Sequence, residues 1–137
     1  MLYRGTGKAE HGYRIAVVMD PDSRLILGYS VNTWHKEKPK KGQLYSELEK
    51  DAMEMASAAL MQYGRADRIA DLQDTSKSKY ASSFFSAMAK EQLWRYDYRT
   101  LDELKALVDD YVSYYNNKRI HSSLNYKTPA EVWFDNI

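Results

Sequence analysis

Lys118, Arg119, His121 and Lys127 fall within ten residues of one another and are interleaved with Tyr114, Tyr115 and Tyr126. Clustered cations attract phosphates, and tyrosine rings offer faces on which bases stack, so this pattern suits contact with nucleic acid. The same residues also have an internal use: Arg119 and His121 can brace the last helix against the core through hydrogen bonds. A second basic set, Lys36, Lys38, Lys40 and Lys41, lies beside Pro39 and Gly42 on a loop. It serves either as a solvated surface or as a contact for a DNA backbone. Other chemistries lack their residues. His11, His35 and His121 share no metal-ligand spacing, and there is neither a nucleophile elbow nor a phosphate-cradling glycine loop. Cysteine is absent, which removes disulfides and thiolate metal sites.

The elements that must position these residues follow from hydropathy patterning. Residues 1–12 carry no periodicity and read as a lead-in. Tyr13 to Met19 is β-branched and apolar, a buried strand. Asp20-Pro21-Asp22-Ser23 has turn chemistry, and Arg24 to Val31 completes a hairpin. From Gln43 to Tyr63, apolar residues at Leu44, Leu48, Ala52, Met55, Ala56, Ala59, Leu60 and Tyr63 mark one face of a helix that Gly64 ends. Arg68 to Leu72 reads as a short strand, and 74–79 as a polar loop. Ala81, Phe84, Phe85, Met88 and Ala89 give another helix face. Thr100 with Glu103 is a capping box, opening a helix with its face at Leu101, Leu104, Val108, Tyr111, Val112 and Tyr115. Thr128-Pro129-Ala130-Glu131 is a second box, with proline at the first helical position. Strands followed by helices predict an α/β domain, a small sheet with a hairpin covered by helices.

Composition bounds the reading. At 137 residues, 1–137 is one domain's worth of chain. With 44% hydrophobic and 28% charged residues, disorder is not expected. No apolar run is long enough to span a bilayer, so a cytoplasmic protein without a membrane partner is expected. A net charge of +1 means that any affinity for DNA must come from local patches.

Residues 114–133, YYNNKRIHSSLNYKTPAEVW, resemble the terminal signature of insertion-sequence transposases with a retroviral-integrase-type core. The matching positions are Tyr115-Asn116, Arg119, His121, Leu124 and Thr128-Pro129-Ala130-Glu131, within a family tail over 115–137. Upstream, Ser83-Phe84-Phe85, Lys90-Glu91 and Leu93 resemble the same family. So does the hairpin, through Ala16-Val17-Val18-Met19-Asp20, Ser23-Arg24 and Ile26-Leu27-Gly28. The resemblance implies a reduced RNase-H-like (integrase core) domain acting in DNA transposition and integration. It also implies Mg²⁺ or Mn²⁺ held by three carboxylates, with one ion activating the attacking oxygen and the other stabilising the leaving one.

Carried over by position, that carboxylate set is incomplete. The strand bearing the first aspartate is nearly absent, and the acid closest before Asp20 is Glu10. Asp20 matches a hairpin position and reads as a turn starter. Asp71 and Asp74 are the candidates for the second aspartate, as catalytic and metal-binding residues, but the glycine that follows it in the family is missing. The third acid falls on Ser82. Glu91 lies nine residues further on, more than two helical turns away, and reads as a solvated helix residue. In a second register, Tyr80 and Phe84 follow Asp74 as in the family, and the third-acid segment is lost. Two functions remain open: a transposase-derived chain of the integration lineage, catalytically incomplete, or a non-catalytic nucleic-acid-binding or self-assembling scaffold. Loss of a central strand predicts an exposed hairpin edge, and hence a homo-oligomer.

Overall fold

The computed structural model describes residues 3–9, 13–33, 47–73 and 79–135. Its sheet has three antiparallel strands in the order β1 (Tyr3–Ala9), β2 (Tyr13–Met19) and β3 (Ile26–Thr33). Among the described residues four α-helices follow: α1 (Glu47–Gln62), α2 (Lys79–Glu91), α3 (Leu101–Asn117) and α4 (Pro129–Asp135).

Three expectations are corrected here. Residues 3–9 are not a lead-in: Tyr3 pairs opposite Met19 and Ala9 opposite Tyr13, so the strand before the hairpin is present and β2 is central. The β2 side of the hairpin, which loss of that strand would have exposed, is therefore covered by β1, and among the described residues the outer strands of the sheet are β1 and β3. Arg68 to Leu72 is not a strand but part of a 3₁₀ segment, Ala66–Gln73. The second strand also starts later than Arg24, because Arg24 adopts a left-handed φ of 66° and still belongs to the turn.

That turn is organised by Asp20, which is buried. Its Oδ2 accepts from the Ser23 amide at 3.1 Å and from the Ser23 hydroxyl at 2.6 Å. Asp20 thus starts the turn, as its position in the sequence implies. A bulge at Val18/Met19 leaves Leu27 without a partner on β2. Asn116 of α3 secures the bulged strand: its Oδ1 accepts from the Ile26 amide at 2.8 Å and its Nδ2 donates to the Ile26 carbonyl at 3.0 Å.

Strand alternation sends β2 into two cores. Ile15, Val17 and Met19 join Phe84, Met88, Tyr98, Leu104, Val108, Tyr111 and Tyr115 beneath α2 and α3. Ala16 and Val18 join Leu48, Ala52, Ala56, Leu60 and Trp133 beneath α1 and α4. The chain is therefore a mixed α/β domain with helices on both sheet faces. No helix among the described residues is long and apolar enough to cross a membrane.

Candidate nucleic-acid interface

The link between α3 and α4 is built from both helix ends. At the link end of α3 the Lys118 amide donates to the Tyr114 carbonyl at 2.8 Å, and at the far end Thr100 caps the helix, its Oγ1 accepting from the Glu103 amide at 3.2 Å. Thr128 caps α4 in the same way, through the Glu131 amide at 3.2 Å. Between them the backbone folds on itself, with the His121 amide donating to the Lys127 carbonyl at 3.1 Å and the Tyr126 amide to the His121 carbonyl at 2.8 Å. Closing this turn puts Asn125 and Tyr126 in the left-handed region, at φ 55° and 62°. For tyrosine that conformation is costly and persists only where its surroundings enforce it.

Those surroundings are the signature residues. Arg119 Nε and Nη2 donate to the Glu91 carboxylate, each at 2.9 Å, tying the link to the end of α2. Glu91 is thus not the solvated residue expected from the sequence, and Arg119 holds its carboxyl below the usual glutamate range. The Arg119 guanidinium also lies over the Tyr115 ring, 5.7 Å from its centroid. His121 is buried edge-on to Tyr115, with centroids 4.9 Å apart. Burial, then the positive charges of Arg119 and Arg24, push its pKa down to about 4. Arg119 Nη1 lies 3.3 Å from His121 Nδ1; an arginine can only donate, so the ring is neutral and accepts there.

Of the residues expected to touch DNA, Arg119 and His121 therefore face inward. They brace α2, α3 and the link to one another, not the last helix directly. Lys118 caps the end of α3 and is exposed. Lys127 is exposed and pairs with Asp135 of α4 at 3.3 Å. Tyr126 is 70% exposed and Ile120 57%, so the outer side of the link presents two lysines, a tyrosine and an isoleucine. Lys40 and Lys41 lie outside the described residues, as does the rest of that loop.

The acidic positions are scattered. The strand before the hairpin reads YRGTGKA and carries no carboxylate. Asp20 is committed to its turn and to Arg68, whose Nη1 lies 3.6 Å from its Oδ1. Ser82 is an exposed residue of α2. Asp71 sits in the backbone of the 3₁₀ segment; its side chain, like the whole of Asp74, lies outside the described residues. Among the described residues, no group of three or more histidines and acids is placed to hold a metal ion. The described donors do not fit a two-metal centre, and no reaction step follows from them.

Residues 82–132 match the family model of the integrase core domain. The match supports an integrase- or transposase-type catalytic core for this stretch, which runs from α2 through the signature into α4. No curated protein and no solved structure matches the chain.

What reading the sequence missed was which half of each motif points outward. The fixed positions of the signature are internal fasteners: Tyr115 in the core, Asn116 on Ile26, Arg119 on Glu91, His121 beneath the turn and Thr128 on α4. The outward residues, Lys118, Ile120, Tyr126 and Lys127, stand between them.

Proposed function

We propose that this chain is a transposase-derived protein of the DNA integration lineage, a reduced RNase-H-like core that binds DNA and self-assembles in the cytoplasm without completing a metal site. The observation that carries this reading is the link between α3 and α4. A residue set resembling a transposase signature is spent on holding one strained turn, and that turn presents Lys118, Tyr126 and Lys127 outward. The described acidic positions support loss of catalysis, since each is absent, spent on structure or replaced by serine.

The test is DNA affinity as a function of salt. Duplex binding by fluorescence anisotropy should weaken as salt rises, and the double variant Lys118→Ala/Lys127→Ala should reduce the log–log slope by about 1–2. A slope unchanged in the double variant removes these lysines from the interface, and no binding at micromolar protein in low salt overturns the reading. Catalysis is tested alongside by nicking of supercoiled plasmid with Mg²⁺ or Mn²⁺. Nicking that disappears in Asp71→Asn/Asp74→Asn would restore the active-enzyme reading. Sedimentation at micromolar concentration tests self-assembly; a monomer refutes it.

A further inference from the structure

A hollow of about 550 Å³ opens beside this link, lined by Glu91, Gln92, Arg95, Asp110, Tyr111 and Tyr114. Its size falls within the roughly 300–1,000 Å³ that small-molecule sites occupy. We propose that it receives a single unstacked nucleobase, a role that rests on the DNA-binding reading above and specifies which part of the nucleic acid is held.

Three observations converge on a base. The Tyr114 ring is 42% exposed and lies 5.8 Å from the Tyr111 ring, centroid to centroid, so the hollow has an accessible stacking surface. Tyr111 itself is 2% exposed, with its hydroxyl beside the Glu91 carboxylate, so it backs the hollow rather than opening into it. Asp110, Tyr114 and Lys118 follow one another at intervals of four along α3, so they share a stripe. That stripe places an acceptor for an exocyclic amine, a ring and a cation for the adjoining phosphate in sequence, and Arg95 also lines the hollow. Gln92 is fixed by its own bond, Nε2 donating to the Leu107 carbonyl at 3.3 Å. Glu91 is already committed to Arg119, which leaves Asp110 as the carboxylate for reading an amine. A base enters such a site only when it is out of the stack, as at a bulge, an end or a single strand.

The experiment compares a duplex containing one unpaired cytosine with the fully paired duplex, using the whole chain and fluorescence anisotropy. The bulged duplex should bind about tenfold more tightly. Tyr114→Ala should abolish the preference and leave affinity for the paired duplex unchanged. Both variant sites, Tyr114 and Asp110, are on the surface, and circular dichroism confirms that the fold is retained. Asp110→Ala, which removes the acceptor, should erase the advantage of an unpaired cytosine over an unpaired thymine, which lacks the amine. Equal binding of bulged and paired duplexes overturns the base site and leaves the DNA interface standing. Bulge binding without paired-duplex binding overturns the interface and leaves the base site standing. Binding to neither overturns both.

Discussion

Beneath α2 and α3, the sheet residues Ile15, Val17 and Met19 meet the rings of Phe84, Tyr98, Tyr111 and Tyr115. Beneath α1, the sheet meets Ala52 and Ala56, and Gly28 lies so close that a Cβ there would stand 2.7 Å from the Ala56 amide nitrogen. The first face is filled by large interlocking rings: Phe84 packs edge-on to Tyr115 with centroids 5.0 Å apart. The second is closed by letting backbone approach backbone. A face made of rings should suffer from deletion, and a face made of close approach should suffer from addition. The ring-filled face also carries the signature network at its rim, so its integrity and the shape of the proposed interface depend on each other.

The strongest attempt to break this contrast is Phe84→Ala, a cavity among fully buried rings. It should cost about 3–5 kcal/mol in urea denaturation. A loss below about 1 kcal/mol would mean that the rings collapse to fill the gap. Next comes acid. The pKa of His121 falls from 6.5 to about 4 on folding, so the stability that the neutral ring confers is fully present above pH 6.5 and is lost as pH drops towards 4. The loss should be on the order of 2–3 kcal/mol, and it should largely vanish from the pH profile of His121→Gln. An identical profile in that variant would remove His121 as the acid-sensitive part of this face.

On the other face, Gly28→Ala should destabilise by about 1–3 kcal/mol despite adding apolar surface, because helix backbone must move to admit the methyl group. A neutral result would show that α1 can lift from the sheet. The smallest effect is expected from Arg119→Ala, roughly 1 kcal/mol, since its ion pair with Glu91 is about a third open to solvent. A larger loss would show that the strained turn at Tyr126 depends on that one guanidinium.

Much of the fold was legible where patterning is local. The strand Tyr13–Met19, the apolar faces of α2 and α3 and both threonine caps could be read directly because each is set by residues close in the chain. β1 could not: YRGTGKA has two glycines and no alternation, and becomes a strand through its backbone pairing with β2. The 3₁₀ segment at Ala66–Gln73 was mistaken for a strand because a short apolar pattern fits both. For the site, resemblance located the signature but not its orientation. The partners of Asn116 and Arg119 lie 90 and 28 residues away in the chain, and spacing does not reveal such contacts.

Arg68 links distant parts of the chain: its guanidinium lies 3.6 Å from the Asp20 carboxylate and 5.9 Å from the centre of the Trp133 ring. The indole fills the α1-side core that Ala16, Val18 and Leu60 begin. During synthesis the hairpin and α1 therefore leave the ribosome with an open apolar face, and it stays open until Trp133 is translated. At roughly 5–20 residues per second, that interval lasts several seconds, during which the nascent chain is vulnerable to capture by chaperones or to clumping on its neighbours.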